Sequence, residues 1–286
     1  MRRWFKGRSQ SDPVGLLLGR DRLWLACAEP VPLFASLPCA GPQEWASAIP
    51  ALLARHAPGQ RKVHLVLSSE FYQQVQIDKP AVPEEELAGA LPWAIKDYVS
   101  EPVMQLSLDY VDLPTPPAGR PRINVIAVPR SRVQQWADAV NQVARLETIT
   151  TDELALSALF EADGAVRFLL WQPTGQELQL LVFHRGGLCF SRVLRGFKGL
   201  ASAGLEPMEL DSLALELQRS LDYLQGQLKL PECATLQLAL TSPGLGALVG
   251  HLEQSFGFAV SAMANKAILS GIDYLPAYAV ARRVGS

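Results

Sequence analysis

Hydrophobic and polar positions change period repeatedly along the chain, and each change marks an element. Val14–Leu18 and Leu23–Ala28 are short apolar runs parted by Gly19-Arg20-Asp21-Arg22, which predicts two strands and a tight hairpin. A proline-broken stretch leads to Pro42–His56, where Trp45, Ala48, Ile49, Leu52 and Leu53 fall at helical spacing and Pro50 is expected to kink or restart the helix. Val63–Leu67 then reads as a buried strand. Pro83-Glu84-Glu85-Glu86 is an acidic first turn that suits the helix dipole, and Leu87, Leu91, Ile95 and Tyr98 behind it predict an amphipathic helix with Pro92 inside. Strands at Leu106–Leu113 and Arg122–Val128 flank the proline-rich loop Pro114–Pro121. Ser131 is expected to cap a helix whose inner face is Val133, Trp136, Ala137, Val140 and Val143.

Thr150 and Glu153 form a candidate capping box ahead of Leu154, Ala155, Ala158 and Leu159, with an end near Gly164. The period then returns to that of strands. Phe168–Trp171, Leu178–Phe183 and Leu188–Val193, separated by Pro173-Thr174-Gly175 and Arg185-Gly186-Gly187, predict a three-stranded meander. Leu210, Leu213, Leu217, Leu221, Leu224 and Leu228 recur three or four positions apart and give the clearest helix of the chain. A strand at Leu236–Leu240 and a helix at Leu245–Phe256 follow. Two successive strand-and-helix halves, divided near 160–166, predict an α/β protein of two lobes.

Composition narrows the function classes. With 49% hydrophobic and 19% charged residues the 286-residue chain is globular rather than disordered. The 26 Lys and Arg are matched by 28 Asp and Glu, with no dense basic block beyond the first eight residues, so no nucleic-acid partner is expected. Cys27, Cys39, Cys189 and Cys233 are scattered without a C-x-x-C pair and read as reduced thiols of a cytosolic protein. Neither a signal peptide nor an apolar run of the ~20 residues a membrane span needs is apparent. Residues 1–11 read as a flexible basic tail. In it Arg2, Arg3, Lys6 and Arg8 surround Trp4 and Phe5, a mixture that also suits an anionic membrane surface.

The run Leu91-Pro-Trp-Ala-Ile-Lys-Asp-Tyr98, followed by Leu106-Ser-Leu-Asp109-Tyr110, resembles the amphipathic helix and strand of PilM-type proteins of type IV pilus assembly, most of all the branch serving mannose-sensitive haemagglutinin pili. The likeness continues through Ile123–Pro129, Thr150–Leu159, Leu217–Tyr223 and Leu236–Phe256. It implies a two-lobed actin-like fold of duplicated, ribonuclease H-like halves. The first lobe would span 12–165, with a small subdomain inserted over about 76–147, and the second 166–286. It also implies a cytoplasmic protein at the inner membrane. There it would bind the cytoplasmic tail of a bitopic, PilN-like partner and link it to the pilus assembly ATPase; homo-oligomer formation is left open. In the family that tail lies extended beside the inserted subdomain, where a sheet edge can supply main-chain bonds. Trp93 and Tyr98 are candidate contacts, with packing of Trp93 between subdomain and first lobe as the alternative.

Actin-like proteins hold ATP between their lobes, with glycine-rich hairpins facing the phosphates and acidic residues positioning Mg²⁺. The resemblance places the first hairpin at Gly15-Leu16-Leu17-Leu18-Gly19, with Leu17 where a carboxylate would stand. The second falls at Gln172-Pro173-Thr174-Gly175, again without an acid. On the adenosine side, Thr241-Ser242-Pro243-Gly244 replaces a glycine pair, and Pro243 removes a backbone donor. Gly15, Gly19, Gly175 and Gly244 are therefore vestigial nucleotide-site positions. The expectation is a pseudo-ATPase without a cofactor, and the alternative is an ATP-binding protein or ATPase with a nucleotide-driven switch. Other chemistry finds no support: His56, His64, His184 and His251 lack ligand-spaced partners, Glu84–Glu86 point in different directions, and Asp109 and Asp112 fall on opposite faces of a strand.

Overall fold

The computed structural model describes residues 13–28, 31–59, 61–116, 120–201 and 206–282; the basic and aromatic positions Arg2, Arg3, Trp4, Phe5 and Lys6 lie outside them. The first half runs β1 (Val14–Leu18), β2 (Arg22–Cys27), β3 (Leu33–Pro38), α1 (Trp45–His56), β4 (Lys62–Leu67), β5 (Gln73–Asp78), α2 (Glu84–Ile95), β6 (Leu106–Asp112), β7 (Arg122–Pro129), α3 (Arg130–Asn141), β8 (Arg145–Thr151) and the short α4 (Asp152–Leu156). The second runs β9 (Val166–Trp171), β10 (Leu178–His184), β11 (Gly187–Leu194), α5 (Pro207–Gly226), β12 (Cys233–Ala239), α6 (Leu245–Phe256), β13 (Ala259–Ala262), α7 (Lys266–Ser270) and α8 (Leu275–Arg282).

Two five-stranded sheets repeat one plan. In the order β3-β2-β1-β4-β8, the first three strands are antiparallel and the last two parallel to β1; β11-β10-β9-β12-β13 does the same in the second half. The outer face of the first sheet is covered by α1 and α3, where the Trp45 ring meets Phe71 edge-on with centroids 4.6 Å apart and lies tilted against Trp136 with centroids 5.5 Å apart. The outer face of the second is covered by α5 and α6 through Leu213, Leu217, Leu224, Leu248 and Leu252. Each such leucine contributes about 1.5–3 kcal/mol by burial.

The inner faces meet across α4 and α8. Leu17, Ala26 and Val66 of the first sheet share one cluster with Leu169, Trp171, Phe183 and Ala239 of the second, and Ala155, Leu275 and Ala277 of the two helices lie in it. Every residue of α8 from Leu275 to Ala281 is buried, so the helix has no polar face to betray its period in the sequence.

A third, antiparallel sheet, β5-β7-β6, is carried between β4 and α3. One face rests on α2, where Leu87, Leu91 and Ile95 meet Ile77, Leu106, Ile123 and Val125. The inserted part is narrower at its far end than the expected 76–147, because Trp136 and Val140 of α3 join the first lobe's core and β8 its sheet. Two local expectations are corrected. Ser131 does not cap α3, which starts at Arg130 behind Pro129 with no side-chain cap. Thr150 pairs with Val66 as part of β8, and it is Thr151 whose hydroxyl accepts the Leu154 N–H at 3.3 Å to cap α4.

Candidate binding groove and interlobe cleft

The inserted sheet ends outward on β6 and the first-lobe sheet on β8, and both edges border one groove of about 330 Å³. Five consecutive residues of β6, Ser107–Val111, and the last three of β8, Ile149–Thr151, line it. Side chains of a strand alternate between its faces, so a run of consecutive lining residues means that the edge itself is turned to the space. Ile126, Val128, Val133 and Leu154 give the groove an apolar floor, and Asp109 is the charged residue among those that line it. The first turn of α2 is tied to β6 beside this wall. Lys79 bridges Glu84 at 3.3 Å and Asp112 at 2.9 Å, while the Tyr110 hydroxyl donates to Glu84. Those two donors hold the Glu84 carboxyl below its usual range.

Behind the groove, two adjacent acids hold three parts of the molecule together. The buried Asp152 carboxylate accepts from the Tyr72 hydroxyl at 2.9 Å and the Ser69 N–H at 3.1 Å, both on the segment leading from β4 into the inserted sheet. Glu153 accepts from Ser191 of β11 in the second lobe at 2.7 Å. Burial, and then the neighbouring Glu153 charge, push Asp152 up to about 7, against the three hydrogen bonds that favour its anion; burial also raises Glu153. Glu153 is thus not the partner in a capping box that its spacing from Thr150 suggests, and Asp152 carries no local mark in the sequence. The β-branched run Thr148-Ile149-Thr150-Thr151 ahead of them was the signal for a strand ending at a buried junction.

A pH dependence follows. Between about pH 4 and 7 the folded chain keeps a proton on Asp152 that the unfolded chain has lost, so this group's contribution to stability falls as pH rises through that window and is level above it. His64 and His184, both lowered by burial, act in the opposite sense, so the informative quantity is a difference between proteins. In urea unfolding at pH 5 and pH 8, Asp152→Asn is expected to lose stability relative to wild type at pH 5 and to recover part of it at pH 8. An equal deficit at both values would mean that Asp152 does not titrate there.

At the two hairpins the chain's own groups pack closely, while a cavity of about 220 Å³ stays open between Gln74, Gln76 and Asn124 of the inserted sheet and Leu188–Ser191 of β11. Leu17 is buried in the shared cluster, and a Cβ on Gly15 would stand 1.8 Å from the carbonyl oxygen of Ala277 in α8. A Cβ on Gly19 would meet the Trp24 ring at 2.1 Å, so the indole lies against the first hairpin. In the second hairpin Gly175 takes φ +73°, and the neighbouring Thr174 N–H donates to the Asp273 carboxylate at 2.9 Å. The side chain of Gln172 turns inward and donates to the Phe197 carbonyl at 2.9 Å. Gly244 stands at the start of α6 with its N–H on the Ser242 hydroxyl at 3.3 Å. Asp273 was not singled out in the sequence, since nothing local marks a residue whose partner is 99 positions away.

Trp93 and Tyr98 are 77% and 68% exposed, so Trp93 is not packed between the inserted sheet and the lobe. Neither lines the groove. Among the described residues no group of three or more His, Cys, Asp or Glu could hold a metal ion, and no helix is long and apolar enough to cross a membrane.

No family model matches the sequence, and no curated protein matches it significantly. Solved structures do. A structure described as the PilM–PilN type IV pilus biogenesis complex superposes with a TM-score of 0.66 at 20% identity, over 95% of this chain and 97% of that one. The cytoplasmic domain of EpsL, an inner-membrane component of the type II secretion system of Vibrio cholerae, gives 0.53 at 14% identity over 92% and 93%. A Bacteroides thetaiotaomicron protein of unknown function with an actin-like ATPase fold gives 0.52 at 13% over 92% and 95%. With the duplicated sheets and the two crossing helices, these likenesses show that the chain has a two-lobed actin-like fold.

Proposed function

We propose that this protein is a non-catalytic cytoplasmic platform component of type IV pilus biogenesis, of the MshI kind that serves mannose-sensitive haemagglutinin pili, and that it works by binding an extended peptide. The observation that carries this reading is the groove between two outer strand edges. A peptide laid there can hydrogen-bond to β6 or β8 while its side chains enter an apolar floor. Its occupant would be the cytoplasmic tail of a bitopic, PilN-like inner-membrane protein, consistent with the PilM–PilN complex whose fold this chain shares. That tail would keep the protein peripheral at the inner membrane and within reach of the assembly ATPase. The exposed Trp93 and Tyr98 on the far side of the inserted sheet offer a separate surface to a further component.

The non-catalytic part of the reading is supported by what packs at the two hairpins. Leu17 stands buried where a carboxylate would be needed, and Trp24 and Asp273 occupy the two hairpins. No acid stands at the Leu17 or Gln172 position from which such hairpins would position Mg²⁺ or an attacking water, and the Asp273 carboxylate beside the second hairpin is engaged by the Thr174 N–H. The test is a calorimetric titration of the purified chain with synthetic cytoplasmic tails of bitopic pilus-assembly proteins from the same organism, beside a titration with ATP·Mg²⁺ and a phosphate-release assay. Saturable binding of a tail with no heat and no phosphate from ATP is expected. Phosphate release, or ATP binding without any tail binding, would restore the ATPase alternative.

A further inference from the structure

We propose that Ile272-Asp273-Tyr274 is an internal strap that joins the two lobes at the cleft. In it the Asp273 carboxylate takes the hairpin N–H that a phosphate oxygen would take in a nucleotide-holding cleft. The inference rests on the non-catalytic reading of that cleft and goes beyond it, since a cleft without nucleotide could equally have been left open.

Three adjacent side chains point to three places. Asp273 accepts from the Thr174 N–H of the β9–β10 hairpin in the second lobe at 2.9 Å, a charge-assisted bond to a backbone donor beside a glycine at positive φ. Tyr274 meets Phe34 of β3 in the first lobe edge-on, with ring centroids 5.4 Å apart. Ile272 is buried in the cluster both lobes share. Gly271, at φ +142°, turns the chain out of α7 into this segment, and a side chain would be strained there. Immediately beyond it α8 is wedged between the sheets, and Tyr278 of that helix reaches the same Phe34 ring at 5.8 Å. The segment thus grips one lobe by a carboxylate and the other by an aromatic ring, and it is anchored at its far end in the interlobe core.

In a nucleotide-driven protein of this fold the bridge between hairpins is a ligand that comes and goes. Here a link from the second hairpin to β3 of the first lobe is covalently part of the chain, so the lobes keep one mutual arrangement. The groove, tied to the second lobe through Asp152 and Glu153, keeps one shape with them.

Hydrogen exchange read by mass spectrometry on the full chain tests this, using wild type, Asp273→Ala, Asp273→Asn and Tyr274→Ala, each with and without millimolar ATP·Mg²⁺. In wild type, exchange in 172–176 and 271–282 is expected to be slow and unchanged by ATP. Asp273→Ala should speed both segments about tenfold and Tyr274→Ala should do likewise, with Asp273→Asn in between because its carboxamide oxygen still accepts from Thr174. Faster exchange confined to the hairpin, with 271–282 unchanged in both alanine variants, would show a local cap and overturn the strap. Protection of the wild-type hairpins by ATP is a different result, and it would overturn the non-catalytic reading itself.

Discussion

Replacing Val111 and Thr150 together by aspartate is expected to weaken binding of the partner tail by two orders of magnitude or more while leaving the melting temperature within a few degrees of wild type. Both residues line the groove from opposite walls, Val111 on β6 and Thr150 on β8, and both are only half buried and outside the four apolar clusters. An extended peptide seated between these edges would cover both new carboxylates at positions where the wild-type groove presents a valine and a threonine. Each buried, unpaired polar group costs about 1–3 kcal/mol, so the pair costs on the order of 3–4 kcal/mol in binding. Asp109, already in the groove, would be joined by two more negative charges. Because substitutions on the solvent face of an edge strand leave the core untouched, circular dichroism and thermal melting should report an intact fold. A loss of binding that tracks a loss of folding would remove the groove from the argument, and undiminished binding would move the site elsewhere, Trp93 and Tyr98 being the next surface to examine.

Gly15→Ala is expected to be among the most damaging single-methyl changes in the chain. The new Cβ would lie 1.8 Å from the Ala277 carbonyl oxygen and 2.6 Å from its carbon, both backbone atoms of a helix buried on every side. Neither β1, the central strand of its sheet, nor α8 can retreat without opening the interlobe cluster. Overpacking of this kind costs about 3 kcal/mol, which for a chain of this size lowers the melting temperature by roughly 6–12 °C. Gly89→Ala is the matched control: it lies inside α2 with nothing within 4 Å of the added methyl, and it should stabilise by about 0.4–1 kcal/mol. The comparison also separates two accounts of Gly15. A glycine kept for phosphate would tolerate the methyl in the absence of nucleotide, whereas a glycine kept for the approach of α8 would not.

The division between what the residues disclosed and what they concealed follows burial and distance. Helices with one wet face were legible: α2, α3 and α5 show their inner stripes in the sequence, and Leu87, Leu91 and Ile95 are the residues that face the inserted sheet. The mostly apolar strands β9 and β10 were legible for a different reason, as short apolar runs bounded by proline and glycine turns. Strands half open to solvent were not. β5 reads Gln-Gln-Val-Gln-Ile-Asp, and β8 opens on the charged Arg145 and Glu147 and continues in a run with three threonines, so neither shows the apolar run of a core strand. That loss mattered, because β8 is one wall of the groove. The wholly buried α8 was missed from the other direction, having no polar face to set its period.

The candidate site followed the same logic. The absent acids of the two hairpins could be read directly, since an alignment of short motifs needs only local residues. The groups that pack at the hairpins in their place could not, because Trp24 on Gly19, Ala277 on Gly15 and Asp273 on Thr174 are contacts made by folding. Trp93 drew notice as a bulky aromatic in a helix, yet its position on the outer face of α2 puts it on the side of the sheet away from Ile126 and Val128 of the groove floor.

The account turns on whether an extended peptide lies between β6 and β8. The most direct measurement is the hydrogen-exchange footprint of the complex between the full chain and the partner's synthetic cytoplasmic tail. Slowed exchange concentrated in Ser107–Val111 and Ile149–Thr151, with the hairpins at 15–19 and 172–176 unaffected, is the predicted result. Protection of the hairpins with unchanged β6 and β8 would contradict the account and place the working site in the cleft.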